Sequence, residues 1–92
     1  MTDLTPEDMH IYDSRQDFEH AFPQVCDVVD EELQKVQEGD WEYEQGTAFP
    51  DANQFDVTYY HRSTETVRNV KGTIDPPEVT QTNETTISYR QE

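Results

Sequence analysis

Four side chains in this sequence are of the types that bind transition metals: His10, His20, Cys26 and His61. A metal site needs three or four convergent ligands, and these usually include a closely spaced pair. No pair among the four has the CxxC, HxxxH or HExxH spacing, and an EF-hand loop with its central glycine is also missing. We therefore predict no metal and no other cofactor, with the histidines at the surface or its boundary and Cys26 buried as a small apolar residue.

Runs of acidic residues raise the question of acid–base catalysis. A general acid needs a carboxyl group whose pKa is raised by burial or by a close like charge. The run Asp30-Glu31-Glu32 is expected to face solvent, and the sequence has no glycine-rich phosphate loop, nucleophile elbow, or Ser/His or Cys/His motif. This survey of motifs predicts that the protein is not an enzyme.

The most informative property is the charge. The net charge is -15 and the pI is about 4.2. Residues 1–44 contain 14 acids against Arg15 and Lys35, whereas residues 45–92 contain 7 acids against four basic residues. Such a field repels nucleic acid and anionic membrane and attracts basic surfaces, so we expect no direct nucleic-acid binding and a basic protein as the partner.

The spacing of the acids indicates mimicry of a nucleic-acid backbone. Carboxylates on alternate residues of a strand lie roughly 6.7 Å apart, about two axial phosphate steps of duplex DNA. Acids four residues apart on a helix lie about 5–6 Å apart at their Cβ atoms. The candidate partner-binding residues are Asp27, Asp30, Glu31, Glu38, Asp40, Glu42 and Glu44.

In size and charge the chain resembles the small anti-restriction and anti-CRISPR proteins carried by phages, although it shares no motif with them. The resemblance implies an inhibitor that occupies the DNA- or RNA-binding cleft of a phage-defence nuclease. An alternative is a small intracellular interaction domain whose acidity reflects salt adaptation and solubility, which two lysines against 21 acids would also suit.

The fold that carries these side chains is predicted to be α+β, in a single domain, 1–92, with residues 1–4 and 91–92 frayed. One amphipathic helix is expected from Asp17 to Gly39, with Ser14 or Asp13 as its cap and Gly39 at its end. Its apolar stripe falls within an arc of about 80° and consists of Phe18, Phe22, Val25, Val29, Leu33 and Val36. Pro23 predicts either a kink or two helices that meet there.

An antiparallel sheet of about four strands is expected against one face of this helix. The strands are predicted at residues 40–44, 55–60, 66–74 and 86–90, and residues 46–53 are predicted as a loop. Residues 5–8 resemble a helix start, whereas residues 9–12 fit either a turn or a short strand and residues 79–82 are ambiguous.

No apolar run is long enough to span a membrane, and the N-terminus lacks the features of a signal peptide. We therefore expect a cytoplasmic protein, located in the host cytoplasm if it is viral. The modest apolar content, 32%, would favour a homodimer that buries more surface. The basic residues Arg62, Arg68, Lys71 and Arg90 are expected to balance local charge, with the acidic half of a second copy as the alternative.

Overall fold

The computed structural model describes residues 9–86. Five strands form one antiparallel sheet in the order β1-β2-β3-β4-β5, and two helices lie between the first two strands in the sequence. The elements are β1 (His10–Tyr12), α1 (Arg15–Ala21), α2 (Pro23–Val36), β2 (Trp41–Phe49), β3 (Gln54–His61), β4 (Thr66–Thr73) and β5 (Glu78–Thr86). The α+β prediction is confirmed, whereas the sheet formed by residues 9–86 has five strands and not about four.

Of the two alternatives predicted at Pro23, the single kinked helix is wrong and the two separate helices are confirmed, since α1 and α2 meet at Phe22. Ser14 caps α1 by accepting a hydrogen bond from the backbone N–H of Asp17 at 3.1 Å. Pro23 occupies the first turn of α2, where a missing backbone donor costs nothing. Among the described residues the first element is β1, so the helical part does not come first.

The core lies between the helices and one face of the sheet. Phe18, Val25, Val29 and Leu33 from the stripe are at most 2% exposed, and Cys26 is buried beside them as predicted. They pack against Phe55, Val57, Tyr59 and Val70 of β3 and β4. Phe22 is half-buried, and Val36 is 41% exposed because α2 ends there.

Gly39 does not end the helix as predicted, because Gln37 is the C-terminal cap and donates its backbone N–H to Leu33 at 2.9 Å. Gly39 instead has a φ of 128° in the loop that follows.

The predicted loop at residues 46–53 is largely wrong, because β2 continues to Phe49. A β-bulge between Tyr43 and Gln45 inserts Glu44 as an extra residue, which shifts the alternation by one position. Trp41 and Tyr43 face the helices before the bulge, and the small buried residues Gly46 and Ala48 do so after it. Only a 3-10 turn, Pro50–Ala52, and Asn53 connect β2 to β3.

The two undecided segments are both strands. β1 pairs with residues 46–48 of β2, and β5 extends through the ambiguous residues 79–82 as far as Thr86. β5 also contains a bulge: Gln81 pairs with Lys71 and Val79 with Gly72, so Thr80 is an extra residue that interrupts the alternation of β5. The predictions at residues 1–4, 5–8 and 91–92, and the rest of the strand predicted at 86–90, lie outside the described residues. No helix within residues 9–86 is long and apolar enough to cross a membrane.

Candidate functional site

The seven predicted partner-binding acids lie on three successive elements. Asp27, Asp30 and Glu31 are on α2, Glu38 and Asp40 are in the loop after it, and Glu42 and Glu44 are on β2. We call the four exposed carboxylates of the first two elements the acidic surface: Asp27, Glu31, Glu38 and Asp40. The remaining three occupy different environments.

Asp30 is an internal contact as well as a surface acid. Its Oδ2 accepts a hydrogen bond from Arg15 Nη2 at 2.5 Å, and Arg15 Nε donates to the hydroxyl of Tyr59 at 3.3 Å. Partial burial raises the pKa of Asp30, although Arg15 opposes this effect. Arg15 therefore ties α1 to α2 through Asp30 and to β3 through Tyr59, and less of the charge of Asp30 is available to a partner.

Glu42 is also paired, and it faces away from the helices. Arg62 donates to Glu42 Oε2 through Nε at 2.9 Å and Nη2 at 2.5 Å. Glu44 is the exposed bulge residue, and Asp40 precedes the strand. The expected row of alternate carboxylates at 40, 42 and 44 is therefore interrupted, because a bulge destroys the period of two.

The loop that carries Glu38 and Asp40 is held by side chains on both sides. Gln34 Nε2 donates to the carbonyl of Gly39 at 2.8 Å, and the amide of Gly39 donates back to Gln34 Oε1 at 3.2 Å. The indole N–H of Trp41 donates to the carbonyl of Gln37 at 2.9 Å. Two acids of the acidic surface are thus presented on a fixed backbone.

The side chain of His61 also holds this loop, from the interior of the fold. It is 2% exposed, and its ring nitrogens contact the carbonyl of Glu38 and the hydroxyl of Thr64, each at 3.1 Å. The ring also packs edge-on against Trp41, with 4.7 Å between centroids. A Cβ on Gly39 would lie 2.7 Å from His61 Nε2, so only glycine fits here. The predicted surface position of His61 is wrong, because its polar edges are satisfied inside the fold.

Positive charge is scarce near the acidic surface. Residues 13–40 contain nine acids, and within the described residues only Glu19 and Asp30 of these form an ion pair, both with Arg15. Lys35 lies four residues after Glu31 on α2, but in the described part of the chain Lys35 makes no ion pair.

Three other cations lie on β4 or in the turn between β3 and β4, and each forms an ion pair there. Arg62 pairs with Glu42, Arg68 with Glu84, and Lys71 with Asp56 at 4.0 Å. The prediction of local charge balance is confirmed for these three, and Arg90 lies outside the described residues. Across residues 9–86, no three His, Cys, Asp or Glu side chains come close enough to hold a metal ion.

Sequence reasoning missed the residues that position the acids. Gln34 and His61 carry no sequence signal for their contacts with the loop, since both bonds join residues that are brought together only by folding. Arg15 could have been recognised, because it is one of only two cations in the acidic half of the chain.

Comparison with protein-family models, with curated proteins and with solved structures finds no match to this chain. Its function is therefore inferred from its own surface.

Proposed function

We propose that the protein is a non-enzymatic inhibitor that acts by nucleic-acid mimicry. Its acidic surface would occupy the nucleic-acid-binding cleft of a basic target, such as a phage-defence nuclease of the kind blocked by anti-restriction or anti-CRISPR proteins. Proteins that bind nucleic acid present arginine and lysine side chains to a regular array of phosphates. An array of carboxylates carried on a fixed backbone can satisfy the same side chains.

The observation that carries the proposal is the combination of unpaired charge and fixed backbone at Glu38 and Asp40. Neither side chain has a basic partner among the described residues, whereas Gln34, Trp41 and His61 hold the loop that carries them. Adjacent like charges repel, and they would be expected to favour a mobile loop. Holding them in place lowers the entropic cost of binding a basic partner.

The competing hypothesis is a salt-adapted interaction domain, in which the carboxylates serve solubility only. Such a domain needs acids on its surface but does not need to fix them in position. The hydrogen bonds that hold residues 37–40 in place therefore favour the inhibitor hypothesis.

A competition experiment tests the proposal. The immobilised protein is exposed to a bacterial lysate, and retained proteins are challenged separately with rising salt and with duplex DNA or RNA at constant ionic strength. We expect a basic nucleic-acid-binding protein that is released by nucleic acid, because both ligands would occupy one cleft. Retained proteins that duplex DNA and RNA both fail to release would contradict the mimicry.

A further inference from the structure

A cavity of about 180 Å³ lies where α2 ends above β4 and β5. Val36 and Trp41 form its apolar wall, and Arg68 and Glu84 form its polar wall. Val36 and Trp41 flank the loop that carries Glu38 and Asp40, so the cavity adjoins the acidic surface. A partner bound to the acidic surface would have side chains within reach of the cavity.

The polar wall is an ion pair between Arg68 and Glu84, and the carboxylate of Glu84 can accept further hydrogen bonds. Arg68 is 8% exposed and donates through Nη1 to Thr82 at 3.2 Å and through Nη2 to Glu84 Oε1, while its Nε has no partner in the described residues. The side chain of Glu84 is 49% exposed, and within residues 9–86 its other oxygen makes no hydrogen bond. A carboxylate can accept about four hydrogen bonds, so Glu84 can bind a second cation while it retains Arg68.

The apolar wall can contact both the charged group and the aliphatic stem of a long cationic side chain. The indole of Trp41 is fixed by the hydrogen bond to Gln37, and an indole face is the strongest cation–π partner among side chains. Val36 is 41% exposed and would cover an aliphatic stem.

We propose that this cavity receives one arginine side chain of the basic partner, with the guanidinium against Trp41 and Glu84. Arginine is favoured over lysine because its planar group stacks on an aromatic face and binds a carboxylate through two donors. An anion is disfavoured because Nη1 and Nη2 of Arg68 are already paired, its unpartnered Nε is buried, and the net charge of the protein is -15. This inference rests on the proposed function, since it names the anchor residue of the same partner.

The cavity can be tested without the partner, because Trp41 is the only tryptophan in the chain. N-acetyl-arginine amide is titrated into the protein at constant ionic strength, and Trp41 fluorescence is recorded. We expect a saturable change with a dissociation constant on the order of 1 mM, about −4 kcal/mol. N-acetyl-citrulline amide has nearly the same shape without the charge, and we expect binding roughly tenfold weaker.

Two variants with the same change in net charge locate the site. Glu84→Gln should weaken arginine-amide binding about tenfold, whereas Glu78→Gln, near the opposite end of β5, should not change it. Equal losses from both variants, or equal binding of citrulline amide, would overturn the proposal. Tighter binding of N-acetyl-aspartate amide would instead identify an anion site at Arg68.

If Glu84→Gln does not fold, methyl chemical shifts of the unmodified protein decide the question. The methyl groups of Val36 should shift during the titration, while those of Val67, which does not line the cavity, should not. Absence of a Val36 shift would overturn the cavity proposal and leave the mimicry intact, because release by nucleic acid tests that separately.

Discussion

Leu33 lies on the inner side of α2 and is 1% exposed, whereas Val36, three residues later on the same stripe, is 41% exposed. Leu33→Ala removes a buried side chain from a core that has little volume to spare, so we expect a loss of about 2–5 kcal/mol in the free energy of unfolding. Val36→Ala should cost less than about 1 kcal/mol. Urea denaturation of both variants measures the difference, and equal losses would show that the core does not end at Leu33.

Cys26 gives a second residue-scale prediction. Burial raises the pKa of its thiol to about 11, so at pH 8 only about one molecule in a thousand carries the reactive thiolate. We expect negligible modification by a thiol reagent in the folded protein at pH 8 and rapid modification in denaturant, where the pKa returns to about 8.5. Fast labelling of the folded protein would contradict the buried position of Cys26.

At the scale of single residues, the sequence predicted apolar positions better than polar ones. Phe18, Val29 and Leu33 follow from helical periodicity alone, because apolar burial depends mainly on which face a residue occupies. The burial of His61 could not be predicted, since its partners Glu38 and Thr64 come from a different element or a turn and the exact backbone decides both hydrogen bonds.

At the scale of elements, the loop between α2 and β2 depends on a glycine. Gly39 has a φ of 128° and leaves no room for a Cβ beside His61. Gly39→Ala should therefore lower stability by about 1–3 kcal/mol and disturb the positions of Glu38 and Asp40. Thermal unfolding and the amide shifts of residues 37–41 measure both effects.

Glu38→Ala is the control for this loop, because its exposed side chain makes no hydrogen bond within the described residues. It should leave the amide shifts of the loop nearly unchanged. If Gly39→Ala is equally harmless, the loop is not held as described.

The same scale explains why the sheet was harder to predict than the helices. The bulge at Glu44 reverses the alternation of β2, and the small inward residues Gly46 and Ala48 resemble loop residues in the sequence. The bulge in β5 has the same effect on a threonine-rich strand. A period of two disappears when one residue is inserted, whereas the stripe of α1 and α2 survives the break at Phe22 because it stays in phase.

For the whole molecule, salt dependence of stability separates the inhibitor from the salt-adapted domain. The acids of α1, α2 and the following loop repel one another in both cases, but a salt-adapted protein depends on screening to stay folded. We expect the protein to remain folded in about 10 mM salt, with a modest fall in Tm. Unfolding in dilute buffer, followed by recovery in concentrated salt, would support salt adaptation instead.

The charge distribution of the whole molecule gives the last prediction. Glu38 and Asp40 lie at the end of the molecule where α2 terminates, whereas Asp51 and Glu78 are exposed at the opposite end of the sheet. The double variants Glu38→Gln/Asp40→Asn and Asp51→Asn/Glu78→Gln change the net charge equally. If the acidic surface imitates phosphates, the first should weaken binding to the captured partner roughly tenfold at low salt, and the second by less than about twofold.

Isothermal titration at two salt concentrations measures both variants. The difference between them should shrink as salt increases, because screening weakens exposed charge contacts first. Equal losses from the two variants would mean that the partner reads net charge and not position. The fixed loop at residues 37–40 would then have no part in recognition, and the acidic surface would be no more than a source of solubility.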